Sequence, residues 1–209
     1  MNNETEPIAW VRVVVVGLAL ALAVAYRIYA PRLGLTPNVE LVTVTAFLAA
    51  SLLRSRWAAL VPLAAVAVSD LVLGNTFLLA FTWGAWALIG LGALLTRRAA
   101  AKSAVLRLGA ALGFGVGGTA LFFVVTNFGV WATTGWYPRT LDGLSTAFAM
   151  GVPFARPQLL ANLIALPIAV VVVMAVERLV PAVRLEVAPG VARGSVAALD
   201  VVKAPLDLQ

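Results

Sequence analysis

The chain has 209 residues, of which 62% are hydrophobic and only 11% are charged, with a formal net charge of +6. Soluble domains average about 45–50% apolar and about 25% charged residues, so this composition excludes an ordinary soluble domain and indicates an integral membrane protein. The sequence has no Cys and no His, which excludes disulfides, thiolate or imidazole catalysis and most zinc or haem sites.

Continuous apolar runs predict an all-α bundle of six transmembrane helices within residues 1–180, because a β-barrel would need alternating polarity. The first run follows an acidic N-terminal stretch, and no small-residue cleavage site comes after the run. We therefore expect a retained helix rather than a signal peptide. The predicted helices span about residues 8–29, 38–53, 57–73, 77–95, 104–131 and 158–180. Residues 181–209 are expected to form a cytoplasmic or surface-lying tail.

Basic residues lie mostly between the apolar runs, where they set orientation in the lipid bilayer, so we expect no nucleic acid partner. The loops after predicted helices two and four contain a basic cluster without an acid, consisting of Arg54, Arg56, Arg97, Arg98, Lys102 and Arg107. The positive-inside rule places this cluster, and with it both termini, in the cytoplasm.

Small residues recur every fourth position in two predicted helices. Gly17, Ala21 and Ala25 form such a ridge in helix one, which favours either packing within the chain or docking on a partner subunit. A second ridge in helix five, at residues 109, 113 and 117, predicts helix packing. The last two of these glycines, with Gly115 and Gly118 beside them, lie in the segment GFGVGG, which lacks the preceding strand and the following Lys of a nucleotide-binding loop.

Asp70 lies beside Ser69 near the outer end of predicted helix three. An acid inside a membrane is costly and is a functional candidate by default. It is either a structural lock between helix ends, with Asn75 or Arg139 as its partner, or a ligand contact. An ion or proton pathway has less support, because no relay accompanies this acid.

Aromatic and amide side chains mark predicted helices four and five. Trp83 and Trp86 share a helical face and are either interface anchors or the floor of a pocket. Asn127 and Trp131 also share a face, and a buried amide needs a partner on another helix, for which Asn162 is expected.

The stretch from residue 126 to residue 157 concentrates aromatic, amide, charged and helix-breaking residues. Arg139 and Arg156 are either solvated loop charges or attract an anionic group of a substrate. The residues predicted to bind a ligand are Asp70, Asn75, Trp83, Trp86, Asn127, Trp131, Trp136, Tyr137 and Arg139. The sequence contains no nucleophile–base pair, paired carboxylates or metal-ligand cluster, so we expect no enzyme activity, cofactor or metal.

Several motifs resemble an uncharacterised family of six-helix prokaryotic membrane proteins. That family is similar to the substrate-binding S-components of ECF-type (energy-coupling factor) vitamin transporters, which include cobalamin-specific members. The matching motifs are Pro37-Asn38, Arg54-Ser55-Arg56-Trp57, Leu60-Val61-Pro62-Leu63, Ser69-Asp70-Leu71-Val72-Leu73-Gly74, Thr126-Asn127-Phe128-Gly129-Val130-Trp131 and Trp136-Tyr137-Pro138-Arg139-Thr140-Leu141. The sequence departs from the family pattern at Val39-Glu40-Leu41.

The resemblance implies an S-component-like bundle in a prokaryotic inner (plasma) membrane, which captures a vitamin or another small molecule at the outer face. It also implies that the ridge of Gly17, Ala21 and Ala25 docks on an energising module. A protein thiolate or imidazole ligand to cobalt is excluded, because the chain has neither residue type, whereas cobalamin bound without such a ligand stays an alternative. The alternative is a structural or accessory subunit of a larger membrane complex.

Overall fold

A computed structural model describes residues 6–35, 38–53, 55–74, 78–100 and 103–179. Within these ranges every regular element is helical, as the sequence predicts. The elements are α1 (Glu6–Tyr29), α2 (Val42–Leu52), a 3₁₀ helix (Arg56–Leu60) that leads directly into α3 (Val61–Leu73), α4 (Leu79–Ala100), α5 (Ala104–Thr133) and α6 (Leu141–Leu179). The predicted tail, residues 181–209, lies outside the described residues.

Five segments of the described chain are long and apolar enough to cross a membrane, which supports an integral membrane protein. They are Trp10–Tyr29, Arg56–Leu73, Leu79–Arg98, Ala104–Thr133 and Leu141–Leu179. Helix α2 has only 11 residues, or about 16 Å at 1.5 Å per residue, whereas a full crossing needs roughly 20 residues. The predicted count of six spanning helices is therefore not confirmed.

Local polar contacts explain why α2 is shorter than the predicted helix over residues 38–53. Asn38 has a φ of 64°, outside the helical region. The carboxylate of Glu40 then accepts hydrogen bonds from the backbone N–H groups of Val42 and Thr43, which fixes the first turn. Because these N–H groups are capped by a side chain, the helix begins at Val42.

Arg97 on α4 stabilises the other end of α2. Its guanidinium donates to the carbonyl oxygens of Ala50 at 2.6 Å, Leu53 at 3.2 Å and Ser55 at 2.7 Å. The last carbonyls of a helix have no partner within it, so a cation there stabilises its end. One member of the predicted basic cluster is thus a structural cap.

Helix α2 lies at the centre of the bundle and packs against α1, α3, α4, α5 and α6. Its buried residues are Val42, Thr43, Thr45, Ala46, Phe47, Leu48, Ala49, Ala50 and Leu52. An 11-residue helix can remain in this environment because protein, rather than lipid, surrounds it on most sides.

Helix α6 begins at Leu141 rather than at the predicted residue 158, and it continues through Pro153, Pro157 and Pro167. The predicted break was wrong because prolines are tolerated in membrane helices, where neighbouring groups satisfy the freed backbone carbonyls. Helix α5 packs along α6. At Gly151 the two helices approach so closely that a Cβ atom would overlap the Asn127 amide.

The glycines that bring the helices together are not those of the predicted ridge in α5. Residues 109, 113 and 117 have no atom within 4 Å of a Cβ position, so they do not pack against other described residues. Gly115, which meets Leu166, and Gly118, which meets Ile89, make the contacts instead. Within the described chain, the packing of this segment is therefore made by the two glycines beside the ridge rather than by the ridge itself.

Candidate functional site

A buried polar network joins α1, α3 and α4 at the end of the bundle where α1 and α3 end. Arg27 donates through Nη2 to Asp70 Oδ1 at 2.8 Å and through Nε to Ser69 Oγ at 2.8 Å. Trp83 Nε1 donates to the other carboxylate oxygen of Asp70, also at 2.8 Å. The Asp70 side chain is only 3% exposed, so its charge is held almost entirely by protein.

This geometry fits the interpretation of Asp70 as a lock between helix ends, but with a different partner from the one predicted. The partner is Arg27, whereas Arg139 lies over the ring of Trp131, with its Cζ 5.7 Å from the ring centroid. Asn75, the other proposed partner, lies outside the described residues. Trp83 is bonded to the lock through its indole N–H and is not among the residues that line the cavity described below.

A cavity of about 330 Å³ lies beside the network. This volume is at the lower end of the roughly 300–1,000 Å³ typical of small-molecule sites. Its walls come from α1, the segment between α1 and α2, and one position each on α3, α4, α5 and α6. The lining residues are Tyr26, Arg27, Ala30, Pro31, Leu35, Asn38, Val39, Glu40, Leu73, Trp86, Phe122 and Gln158.

Glu40 is the buried acid of the cavity, with 7% of its surface exposed. Besides capping α2 it accepts from the hydroxyl of Thr43 and, at 3.5 Å, from Nε2 of Gln158 on α6. Burial raises the pKa of Glu40 above the usual carboxyl range, although these hydrogen bonds and the charge of Arg27 lower it. The carboxylate is therefore less well stabilised here than in water.

Aromatic rings form part of the apolar lining, together with Ala30, Pro31, Leu35, Val39 and Leu73. Trp86 and Phe122 pack together with ring centroids 5.3 Å apart, and Tyr26 contributes from α1. Trp86 is 1% exposed, and its indole N–H has no hydrogen-bond acceptor among the described residues. A buried donor without an acceptor carries an energetic cost.

Asn127 lies away from the cavity lining and does not bond to Asn162. Its amide nitrogen donates to the carbonyl oxygen of Phe123 within α5, at 2.8 Å. Asn162 instead donates to the hydroxyl of Thr119 at 3.1 Å. The predicted cross-helix amide pair was wrong, because each amide finds a closer partner.

The remaining predicted residues form a separate cluster where α5 ends. Trp131 donates to the carbonyl oxygen of Pro138 at 2.8 Å and is stacked by Arg139. Trp136 is 71% exposed and Tyr137 is half-buried. Trp131 follows Phe122 by nine positions, about 14 Å along the helix axis. Of the predicted ligand residues that the structure describes, which exclude Asn75, Trp86 is therefore the one in the cavity lining.

Sequence reasoning missed the polar members of the cavity, Arg27, Glu40 and Gln158. Two signals were available in the sequence. Asp70 required a cation at a similar depth, and Arg27 ends a neighbouring predicted helix on the same side. Glu40 is an acid immediately before a helix, a position that the helix dipole favours. Gln158 offered no such signal, because it meets Glu40 only through tertiary packing.

The cavity combines hydrogen-bonding groups with aromatic surface, an arrangement that suits binding of a small polar molecule. Arg27 and Gln158 each have side-chain atoms beyond those used in the contacts above, and both line the space. The described residues contain no group of three or more Asp or Glu side chains that would hold a metal ion.

Comparison with known proteins identifies a family but no individual relative. The model of a family of unknown function, DUF6580, matches residues 8–183. No curated protein and no solved structure matches the chain. The match extends from α1 to just beyond the end of α6 and so includes every residue of the network and the cavity. The chain belongs to the DUF6580 family.

Proposed function

We propose that this protein is the substrate-capture subunit of a small-molecule uptake transporter in a prokaryotic plasma membrane, comparable to an S-component. The single observation that supports this role is the cavity of about 330 Å³, which is lined by both polar and aromatic side chains. A subunit with a purely structural role has no need of a polar, partly open cavity at the end of its bundle.

The positive-inside rule supports an outward orientation of the cavity. Arg56, Arg97, Arg98 and Arg107 lie at the opposite end of the bundle from Arg27 and Asp70. Because basic residues are retained in the cytoplasm, the cavity faces outside and both termini face inside. The cavity then meets its substrate before any partner does.

The exposed face of α1 supports docking on an energising partner. Gly17 and Ala21 are exposed, Ala25 is half-buried, and no atom lies within 4 Å of a Cβ position at Gly17. Helix α1 packs mainly on α2 and α3, so this face is free of contacts with other described residues. Small residues allow another helix to approach closely.

The same face favours a second candidate function, that of a structural subunit in a larger membrane complex. Such a subunit would also need an open helix surface, and α4 and α5 offer another open groove at Gly92 and Gly117. The two functions differ at the cavity, because only a capture subunit requires a bound small molecule there.

Mass spectrometry of the protein, purified gently from its native membrane, tests the proposal. We expect a stoichiometric small molecule, which Trp86→Phe releases because the variant removes part of the aromatic wall of the cavity. Trp136→Phe is the matched control, since Trp136 is 71% exposed and does not line the cavity. Partner chains without any bound compound would instead support the structural role.

A further inference from the structure

The charged groups around the cavity are unequal in number. Arg27 is the one cation among the lining residues, and its guanidinium is already paired with Asp70 at 2.8 Å. Glu40 is a second acid, and no other lining residue is a Lys or Arg. The carboxylates of Asp70 and Glu40 are thus balanced by the single guanidinium of Arg27, which is paired with Asp70. The site therefore has an excess of one negative charge when Glu40 is ionised.

The groups that face Glu40 do not remove this excess. They are the N–H groups at the start of α2, the hydroxyl of Thr43, the Gln158 amide and the charge of Arg27. The pKa of Glu40 is raised by burial in spite of all of them. The lining residues that α4 and α5 contribute, Trp86 and Phe122, are uncharged. A positive charge is what the site lacks.

The walls of the cavity also suit a cation. Tyr26, Trp86 and Phe122 present three aromatic rings, and the faces of such rings attract cations, Trp most strongly. Quaternary ammonium groups in other proteins are recognised by cages of aromatic rings. An anion would meet the carboxylate of Glu40 and gain little from Arg27, which Asp70 already neutralises.

We propose that the cavity selects a small organic cation, held between the carboxylate of Glu40 and the aromatic rings of Tyr26, Trp86 and Phe122. This assignment rests on the proposed capture function and adds the chemical class of its substrate. The volume of about 330 Å³ is large enough for a small molecule with one ring.

Three probes of the same size and different charge test the assignment on the full-length protein in detergent. They are benzylamine, a cation at pH 7.5, benzyl alcohol, which is neutral, and benzoate, an anion. Isothermal titration calorimetry measures each affinity. We expect benzylamine to bind at least tenfold more tightly than benzyl alcohol and benzoate to bind most weakly, because charge alone distinguishes the three.

Two variants test whether negative charge at the cavity causes the preference for benzylamine. Glu40→Gln keeps the size of the side chain and removes its charge, so the preference for benzylamine falls at least tenfold. Asn38→Asp adds a negative charge at the exposed rim and is expected to tighten benzylamine binding severalfold, which provides a test even if the buried variant fails to fold. Asp142→Asn, an exposed acid remote from the cavity, is the matched control and retains wild-type affinity.

The affinity for benzylamine is expected to depend on pH through the protonation of Glu40. Because burial raises the pKa of Glu40, acidification from pH 8 towards pH 5 protonates this carboxyl before an ordinary one. The excess negative charge disappears, so benzylamine affinity falls with decreasing pH. The fall is absent in Glu40→Gln.

Failure of this assignment is distinguishable from failure of the capture function. Tighter binding of benzyl alcohol or benzoate, lost in Trp86→Phe, overturns the cation assignment and leaves capture in place. Benzylamine binding that is unchanged in both Glu40→Gln and Asn38→Asp also overturns it. If none of the three probes binds and the native protein carries partner chains without a small molecule, both proposals are wrong.

Discussion

Arg27 connects the stability of the bundle to its cavity, because one side chain serves both. It pairs with Asp70, bonds to Ser69 and lines the cavity. A buried acid is stabilised only while its partner is held in place. The ion pair between Arg27 on α1 and Asp70 on α3 therefore holds the guanidinium at the cavity wall.

Replacing Asp70 with Asn tests the strength of that lock. Removing one member of a buried ion pair costs about 3–5 kcal/mol, and the Arg27 side chain is 23% exposed, so we expect the lower end of that range, about 3 kcal/mol. Thermal and denaturant unfolding in detergent measures the loss. Asp142→Asn makes the same chemical change at an exposed position and should leave stability unchanged. Equal effects of the two variants would contradict the lock.

The identity of the important acid was predictable from the sequence, whereas its partner was not. Asp70 is recognisable because acids are rare inside membranes. Choosing between Arg27 and Arg139 requires knowing that α1 packs on α3, which no local pattern shows. Glu40 and Gln158 are 118 positions apart and meet for the same reason.

At the scale of the helices, Gly90 on α4 allows the closest approach to the 3₁₀ helix before α3. A Cβ atom at Gly90 would overlap the backbone carbonyl oxygen of Ala59 and lie 2.9 Å from the ring of Pro62. Backbone atoms cannot move aside as the end of a flexible side chain does. This contact therefore fixes the distance between α4 and the start of the second spanning segment.

Gly90→Ala should destabilise the protein, because overpacking a helix contact costs about 1–3 kcal/mol and the obstacle here is backbone. The matched control is Gly84→Ala on the same helix, where no atom lies within 4 Å of the Cβ position. That change should raise stability slightly, by up to about 1 kcal/mol, since Ala favours helix over Gly. Unfolding in detergent compares the two variants, and a neutral Gly90→Ala would contradict the described packing.

Helix types were easier to predict than helix limits. Apolar runs identify every helix of the described chain, but α2 and α6 differ from their predicted bounds. Helix α2 is shortened by a side-chain cap from Glu40 that composition does not show. Helix α6 is lengthened because Pro153 and Pro157, which end helices in soluble proteins, do not end this one.

At the scale of the whole molecule, a substitution on the exposed face of α1 is expected to block docking on a partner without changing the stability of the folded chain. Gly17→Leu adds a large side chain where the described structure has open space, so stability should be unchanged. Docking on a partner helix should be blocked, because the added side chain prevents close approach. Co-purification of partner chains from native membranes measures docking, and unfolding in detergent measures stability.

Gly109→Leu on α5 is the control for this experiment, since that glycine is also exposed and also lacks neighbours. Partner chains that remain bound to Gly17→Leu, or that are lost equally from both variants, would exclude the α1 face as the docking surface. A fall in stability of Gly17→Leu would show that this face packs within the chain.

The short central helix has a consequence for how the chain is made. A translocon selects membrane segments largely by length and hydrophobicity, and an 11-residue helix falls below the usual requirement. Helix α2 therefore depends on its neighbours for entry into the bilayer, and α1 alone cannot enclose it. We expect a nascent chain that stops before α3 to leave α2 outside the lipid, and the final topology to form only as later helices emerge from the ribosome.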